Sequence, residues 1–179
     1  MEVSAELRQP DSLCHQWLGE MEDISTYLGA IVSVINPAVF KTGASCIREI
    51  SKNPYRVAKR ENLEDLLKIW RSPYTSASLI SNRDTPLHRD NSGGYSTMDL
   101  LLSVGNYSNG RFQTPGLGYE FMYNSGTVIG IVGRIFMHGA TAWGERLCYA
   151  QWNKQNVLDS LGIPSTDWVN INDLFSGLL

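Results

Sequence analysis

The sequence is poor in several features that would fix its class at once. Its 179 residues include three cysteines, Cys14, Cys46 and Cys148, odd in number and far apart. They give no disulfide framework and no zinc-binding spacing, so a reducing intracellular compartment is the expected home. No apolar run reaches the roughly 18 residues of a membrane helix, and no membrane association is expected. The acidic start MEVSAELRQPD reads as neither a signal nor a transit peptide. Internal repeats, low-complexity tracts and compact Lys/Arg clusters of the nuclear-import kind are also missing. Histidine occurs only three times, as His15, His88 and His138.

What is present is ordinary in bulk and uneven in detail. Hydrophobic residues make up 42% and charged residues 18% of the chain, a composition able to bury the core of one domain. The net charge of −3 conceals two opposed stretches. Residues 1–40 carry six acids against Arg8 alone. Residues 41–71 carry eight bases against Glu49, Glu61, Glu64 and Asp65, a local balance of +4. Such a stretch is either a solvated helical face or a phosphate-contacting one.

The front third has helical periodicity. Leu13, Trp17, Met21, Ile24, Leu28, Ile31 and Ile35 recur every three or four residues, predicting one amphipathic helix that stops near Asn36-Pro37. A second helix is expected over 38–51. Asn62 is expected to cap a short third one bearing Leu63, Leu66, Leu67 and Trp70. From Tyr74 the texture changes to short apolar segments separated by glycine-bearing turns: SASLIS, TMDLLLSV, GYEFMY, TVIGIV, RIFMH and RLCYAQW. Six such segments predict a sandwich or barrel with helices packed outside. In TMDLLLSV, alternation puts Thr97, Asp99, Leu101 and Ser103 on one face and Met98, Leu100, Leu102 and Val104 on the other. After Trp152, Val157–Leu161 is expected to be a short helix. Ser165 is expected to cap a last one, with Trp168, Ile171, Leu174 and Phe175 as its buried stripe. The expected division is therefore a single domain over 1–179: helical support in 1–73, a β core in 74–153 and C-terminal helices in 154–179.

The chemistry concentrates in that core. His88 and Asp90 stand at i and i+2, so an extended backbone projects both to one side. His138, 50 residues later, ends the strand-like RIFMH and supplies a second imidazole. Two imidazoles and one carboxylate on one face of an octahedron suit Fe(II) and leave positions open for an oxidant. Taken singly, His88 also fits a surface loop and His138 a hydrogen-bonded core position. A dicarboxylate cosubstrate such as 2-oxoglutarate would need a cation for the end that does not chelate the metal, and arginine grips a carboxylate bidentately. Arg146, opening RLCYAQW with Cys148 on its face, is the first candidate. Arg83 is the second, and Arg134 shares the parity of His138. A surface ion pair is the alternative for each.

These residues carry a resemblance. The run NRDTPLHRD…MDLLLSVGNY…YNSGTVIGIVGRIFMHGATAWGERLCYAQW resembles the TET/JBP family of iron(II)/2-oxoglutarate dioxygenases, in particular the compact TET-like proteins of fungi and protists. The matching elements are Asn82-Arg83, His88-x-Asp90, Asp99, a Gly105-Asn106-Tyr107 turn, Tyr123…Gly126-Thr127-Val128, Gly133-Arg134…His138, and Arg146. They cover roughly residues 70–153.

The resemblance implies an α+β protein with a double-stranded β-helix (jelly-roll) core and flanking N- and C-terminal helices. It implies oxidation of a methylated base in nucleic acid, 5-methylcytosine or thymine, with Fe(II), 2-oxoglutarate and O2. His88, Asp90 and His138 would bind iron, Arg146 and Arg83 the cosubstrate, and Asn82, Asp99 and Arg134 the substrate. A DNA partner would imply a nuclear location. The chain is short for the family, and no residue reading the base edge is identified in it. An extruded base needs a planar partner; Tyr95, Phe112, Tyr119, Phe121 and Trp143 are candidates that fit a core equally well. Two other readings stay open. One is a dioxygenase of the same class acting on N6-methyladenine, a protein side chain or a small molecule. The other is a β-helix that only binds.

Overall fold

The computed structural model describes residues 1–168 and Asn172. The chain divides into two compact units: residues 1–75 together with those from Asn156 onward, and Ser76–Gln155.

The first unit is helical. Ser12 caps α1 (Leu13–Glu20) by accepting a hydrogen bond from the His15 N–H at 3.2 Å. The chain breaks at Met21 and resumes as α2 (Glu22–Ile35), with Glu22 and Asp23 at its positive end. The single helix expected over 13–35 is thus two. The break rotates the buried stripe onto Leu18, then Ser25, Leu28, Gly29 and Val32, leaving Leu13, Ile24 and Ile35 exposed. Small residues on that stripe allow close approach: a Cβ on Gly29 would sit 3.3 Å from the Pro73 ring. Asn36 caps α3 (Pro37–Lys52) through a bond from the Val39 N–H, and Pro37 stands in its first turn, where no amide donor is needed. Val39, Gly43, Cys46 and Ile50 form its buried face. In α4 (Leu63–Ile69), Asn62 occupies the cap position in a left-handed conformation. Its side chain makes no cap and instead donates to the Arg8 carbonyl at 3.0 Å. Leu18, Cys46, Ile50, Leu63 and Leu66 share one core with Val157, Leu158 and Leu161 of α5 (Gln155–Leu161). Each such side chain contributes about 2 kcal/mol by leaving water. Ser165–Trp168 has no regular structure, and Ile171, Leu174 and Phe175 of the expected last helix lie outside the described residues.

The second unit is a six-stranded antiparallel sheet of jelly-roll type: β1 (Ser76–Ser81), β2 (Thr85–His88), β3 (Asp99–Thr114), β4 (Tyr119–Met122), β5 (Thr127–Ile131) and β6 (His138–Trp152). The two long strands, β3 and β6, pair along most of their length, from Leu100↔Gln151 to Gln113↔Gly139. The outer edge of β6 takes β1 at one end and β2 at the other, while β3 takes β5 and β4. A register shift between Ser108 and Arg111, with Gly105 and Gly144 at φ 138° and 120°, bends the central ladder. At Gly105 a side chain is excluded outright, because its Cβ would meet the Glu145 carbonyl oxygen at 2.2 Å.

Two expected elements differ. RIFM is a turn, not a strand: its three apolar residues, Ile135, Phe136 and Met137, have the composition of a strand without its pairing partner. His138 consequently begins β6, and Arg146 lies in the middle of that strand instead of opening its own. Gly105-Asn106-Tyr107 lies within β3 and makes no turn. No helix among the described residues is long and apolar enough to cross a membrane.

Candidate metal and cosubstrate site

His88 closes β2 and Asp90 follows in the next loop, where its N–H donates to the Gly133 carbonyl at 3.0 Å. β2 lies beside β6 with His88 opposite His138, so the two imidazoles come together with ring centroids 4.4 Å apart. The Asp90 carboxylate bridges them, with Oδ1 3.4 Å from His88 Nε2 and Oδ2 3.5 Å from His138 Nε2. One ligand atom from each residue falls within 4.8 Å of the others.

Tautomer and charge suit metal binding. Nδ1 of His88 lies 2.9 Å from the Pro86 carbonyl, and Nδ1 of His138 lies 3.0 Å from that of Phe136. A carbonyl can only accept, so each Nδ1 carries a proton, and each Nε2, the nitrogen facing Asp90, is the atom available to a metal. Burial holds the His138 imidazole below its usual range and therefore neutral. His138 is buried and stacks on Phe112 at 5.7 Å, whereas His88 and Asp90 are half-exposed, so the cluster opens to solvent on their side. The donor set fits Fe(II) with open coordination positions.

A second carboxyl stands behind the first. Asp99, at the start of β3, is 5% exposed, and its Oδ1 has no hydrogen-bond partner among the described residues. Burial first, then the Asp90 charge, push its pKa up to about 8, against one opposing bond from the Gly133 N–H. Gly133 fits between the two acids only because it lacks a side chain. A Cβ there would lie 2.3 Å from Asp90 Oδ2 and 2.9 Å from Asp99 Oδ2.

The triad opens into a cavity of ≈ 240 Å³ also lined by Asp99, Phe112, Tyr123 and Arg146. Arg146 is 4% exposed and, among the described residues, has no carboxylate partner. Its Nε donates to Ser103 Oγ at 2.9 Å, and its guanidinium lies 4.9 Å above the Tyr123 ring. Ser103 in turn shares a hydrogen bond with the Tyr107 hydroxyl at 2.8 Å, which donates to the Tyr123 carbonyl at 2.7 Å. Burial pushes both the Tyr123 phenol and the neighbouring Cys148 thiol upward, so both stay protonated. A desolvated cation braced by neutral hydrogen-bonding groups is a receptor for an anion.

The other expected site residues fall differently. Arg83 is exposed and lines the cavity. Asn82, left-handed at φ 47°, uses its side chain to accept the Arg146 N–H at 2.8 Å. It fixes the β6 backbone beneath Arg146 and is absent from the cavity wall. Arg134 also lies off the cavity. It bonds the Asn91 and Gly93 carbonyls and covers the Tyr95 ring at 4.2 Å, so it ties down the loop after Asp90. The parity linking Arg134 to His138 fails because no strand joins them. Of the five aromatic candidates, Phe112 is cavity wall, and Tyr95, Tyr119, Phe121 and Trp143 are exposed. Sequence reading missed Tyr107 and Tyr123 as supports of Arg146. Tyr107 stands four residues from Ser103 on β3, while Tyr123 follows β4 and arrives through strand pairing.

Comparison with known proteins agrees with this geometry. Residues 4–158 match the Tet_JBP family model, described as the oxygenase domain of the 2OGFeDO superfamily. No curated protein matches the chain. A similar solved structure is that of NgTET1 in complex with 5mC DNA, with a TM-score of 0.58 and 17% identity. The likeness covers 99% of this chain and 63% of that one, so the present chain spans less than two thirds of its neighbour's length.

Proposed function

The chain belongs to the Tet_JBP family, the oxygenase domain of the 2OGFeDO superfamily, and from that premise we propose that it is an iron(II)/2-oxoglutarate dioxygenase oxidising the methyl group of 5-methylcytosine in DNA. The observation that carries the cosubstrate half of this reading is Arg146, a buried cation lacking a carboxylate on the wall of the cavity that holds His88, Asp90 and His138. The NgTET1 complex with 5mC DNA supports the substrate half.

His88, Asp90 and His138 would hold the iron. Iron(II) so held supplies, with O2 and 2-oxoglutarate, the oxidising power that turns a C–H into a C–OH bond while the cosubstrate becomes succinate and CO2. Arg146 receives the far carboxylate of 2-oxoglutarate in its guanidinium fork. Ser103 and the Tyr123 ring fix that fork's plane, and Asn82 fixes the backbone that bears it. Phe112 keeps water from the inner side of His138. Asp99, largely protonated at neutral pH, holds a proton beside Asp90 and offers a donor to a polar group entering the cavity. Arg83 stands exposed on the cavity wall, placed to meet a phosphate or a second carboxylate. A DNA substrate implies a nuclear location.

The test is mass spectrometry of oligonucleotides incubated with the protein, Fe(II), 2-oxoglutarate and ascorbate. The panel contains 5-methylcytosine, thymine and N6-methyladenine in single and double strands, with His88→Ala as control. Addition of one oxygen to 5-methylcytosine, absent from the control, is the expected result. Succinate without a modified base would keep the dioxygenase and discard the nucleic-acid substrate. Neither product from iron-loaded protein would discard both.

A further inference from the structure

The basic stretch 41–71 is only partly accounted for by the fold. Of its eight bases, Arg56, Lys59, Lys68 and Arg71 are held in ion pairs, with Glu49, Glu2, Asp65 and Glu22. The other four, Lys41, Arg48, Lys52 and Arg60, have no acidic partner among the described residues. Three of these four lie on one helix, α3, and all three are exposed. At 100° per residue, Lys41, Arg48 and Lys52 fall within about 40° of one another. They point directly away from the buried face of Val39, Gly43, Cys46 and Ile50. Arg48 and Lys52 are four residues apart, a like-charge spacing that costs an isolated helix a few tenths of a kcal/mol. Ordinary solvated helices place an acid at that position, and here none is present. The one acid in the last two turns of α3, Glu49, is turned aside to Asn53 and Arg56.

Arg48 also belongs to the rim of a hollow of ≈ 390 Å³. Phe40, Ala44, Ile47, Leu67 and Pro73 line it together with Ser51, Ser72 and Arg71, the last paired with Glu22. An apolar lining beside the unpaired Arg48 guanidinium suits a ligand that alternates uncharged rings with anions, as a sugar–phosphate chain does.

We propose that the Lys41–Arg48–Lys52 face of α3, with the adjoining Arg48–Arg71 hollow, is a binding surface for the phosphate backbone of duplex DNA. The choice of polyanion rests on the nucleic-acid substrate argued above. A duplex is favoured because the three cations lie along a rigid rod about 16 Å long, a length that crosses a major groove about 12 Å wide from one backbone to the other. Contacts of this kind add sequence-independent affinity.

The experiment is fluorescence anisotropy of an unmodified 20-base-pair duplex with the full chain across a salt series. The variants are Lys41→Gln/Arg48→Gln/Lys52→Gln and, as a control of equal charge change, Lys59→Gln/Arg60→Gln/Lys68→Gln. Circular dichroism melting verifies that both are folded. The stripe variant should bind at least about tenfold more weakly at 0.1 M salt and lose about two to three units of the log–log salt slope, the control much less. Equal losses in both variants would reduce the effect to net charge and overturn the proposal. So would an unaffected stripe variant, a preference for the single strand, or binding to phosphatidylserine vesicles in place of the duplex. A wild-type protein that binds the duplex through the stripe yet oxidises no base would retain the surface and remove the oxidase reading. A protein that oxidises DNA, with a stripe variant binding normally, would do the reverse.

Discussion

The two ends of the β-sheet cavity have opposite charge defects. At one end Asp90 and the buried Asp99 crowd around Gly133, an excess of acid without a cation. At the other, Arg146 is buried among Ser103, Tyr123 and Cys148, a cation without an acid. The buried cation is costly, because an uncompensated buried charge costs several kcal/mol, and the acid end is relieved by keeping Asp99 largely protonated beside the half-exposed Asp90. The two defects do not cancel each other by forming a pair. Under the proposed function the acid end would hold a divalent metal and the arginine end a carboxylate of the cosubstrate. Charge left unbalanced by the chain is thus a guide to what the chain binds.

The largest effect should come from removing the acid that does the bridging. Asp90→Ala should abolish stoichiometric Fe(II) binding, followed by calorimetry, and bring succinate formation to background. Next comes the cation end. Arg146→Gln should raise the KM for 2-oxoglutarate about a hundredfold by stranding its carboxylate, while Fe(II) affinity changes little. Arg146→Lys should recover only part, because a point charge cannot reproduce the fork. Equal damage to metal and cosubstrate binding in Arg146→Gln would show that the two ends are one unit.

Gly133→Ala sharpens the comparison at the acid end alone. The added methyl must displace Asp90, so Fe(II) affinity should fall about 10- to 100-fold with the KM for 2-oxoglutarate nearly kept. The smallest effect is on stability. Asp99 is protonated more readily in the fold than in the unfolded chain, with its pKa raised to about 8. Its contribution is complete below the unfolded carboxyl range and is lost as pH rises through about 8. Urea midpoints of the metal-free protein should therefore decline between pH 5 and pH 8, and Asp99→Asn should flatten the decline. An unchanged slope in that variant would assign the pH response elsewhere.

The sequence revealed the parts of this arrangement that rest on residue type and short spacing. His88-x-Asp90 needs only the two-residue repeat of extended chain, and the faces of Asp99–Val104 follow from alternation. The turn at 134–137 was missed because Ile135, Phe136 and Met137 have strand composition, and only a pairing partner separates a strand from an apolar turn. The break at Met21 was invisible for a related reason: periodicity continues across it while the buried stripe rotates. Asn82 was placed near the chemistry by the family resemblance, and Arg134 by that resemblance and by its parity with His138. Their side chains instead brace the backbone of Arg146 and the loop after Asp90. Tyr107 meets Ser103 four residues away along β3, but Tyr123 comes over Arg146 only through the pairing of β3 with both β4 and β6, which no local pattern encodes.

One feature of β6 limits how this chain can vary in length. His138 and Arg146 lie eight residues apart on a single strand, and an even interval keeps both side chains on the cavity face. Deleting or inserting one residue between them would turn Arg146 and Cys148 outward and Leu147 inward, while His138 stayed in place. Changes of two residues would preserve the face. Viable length variants between these two positions should therefore come in steps of two.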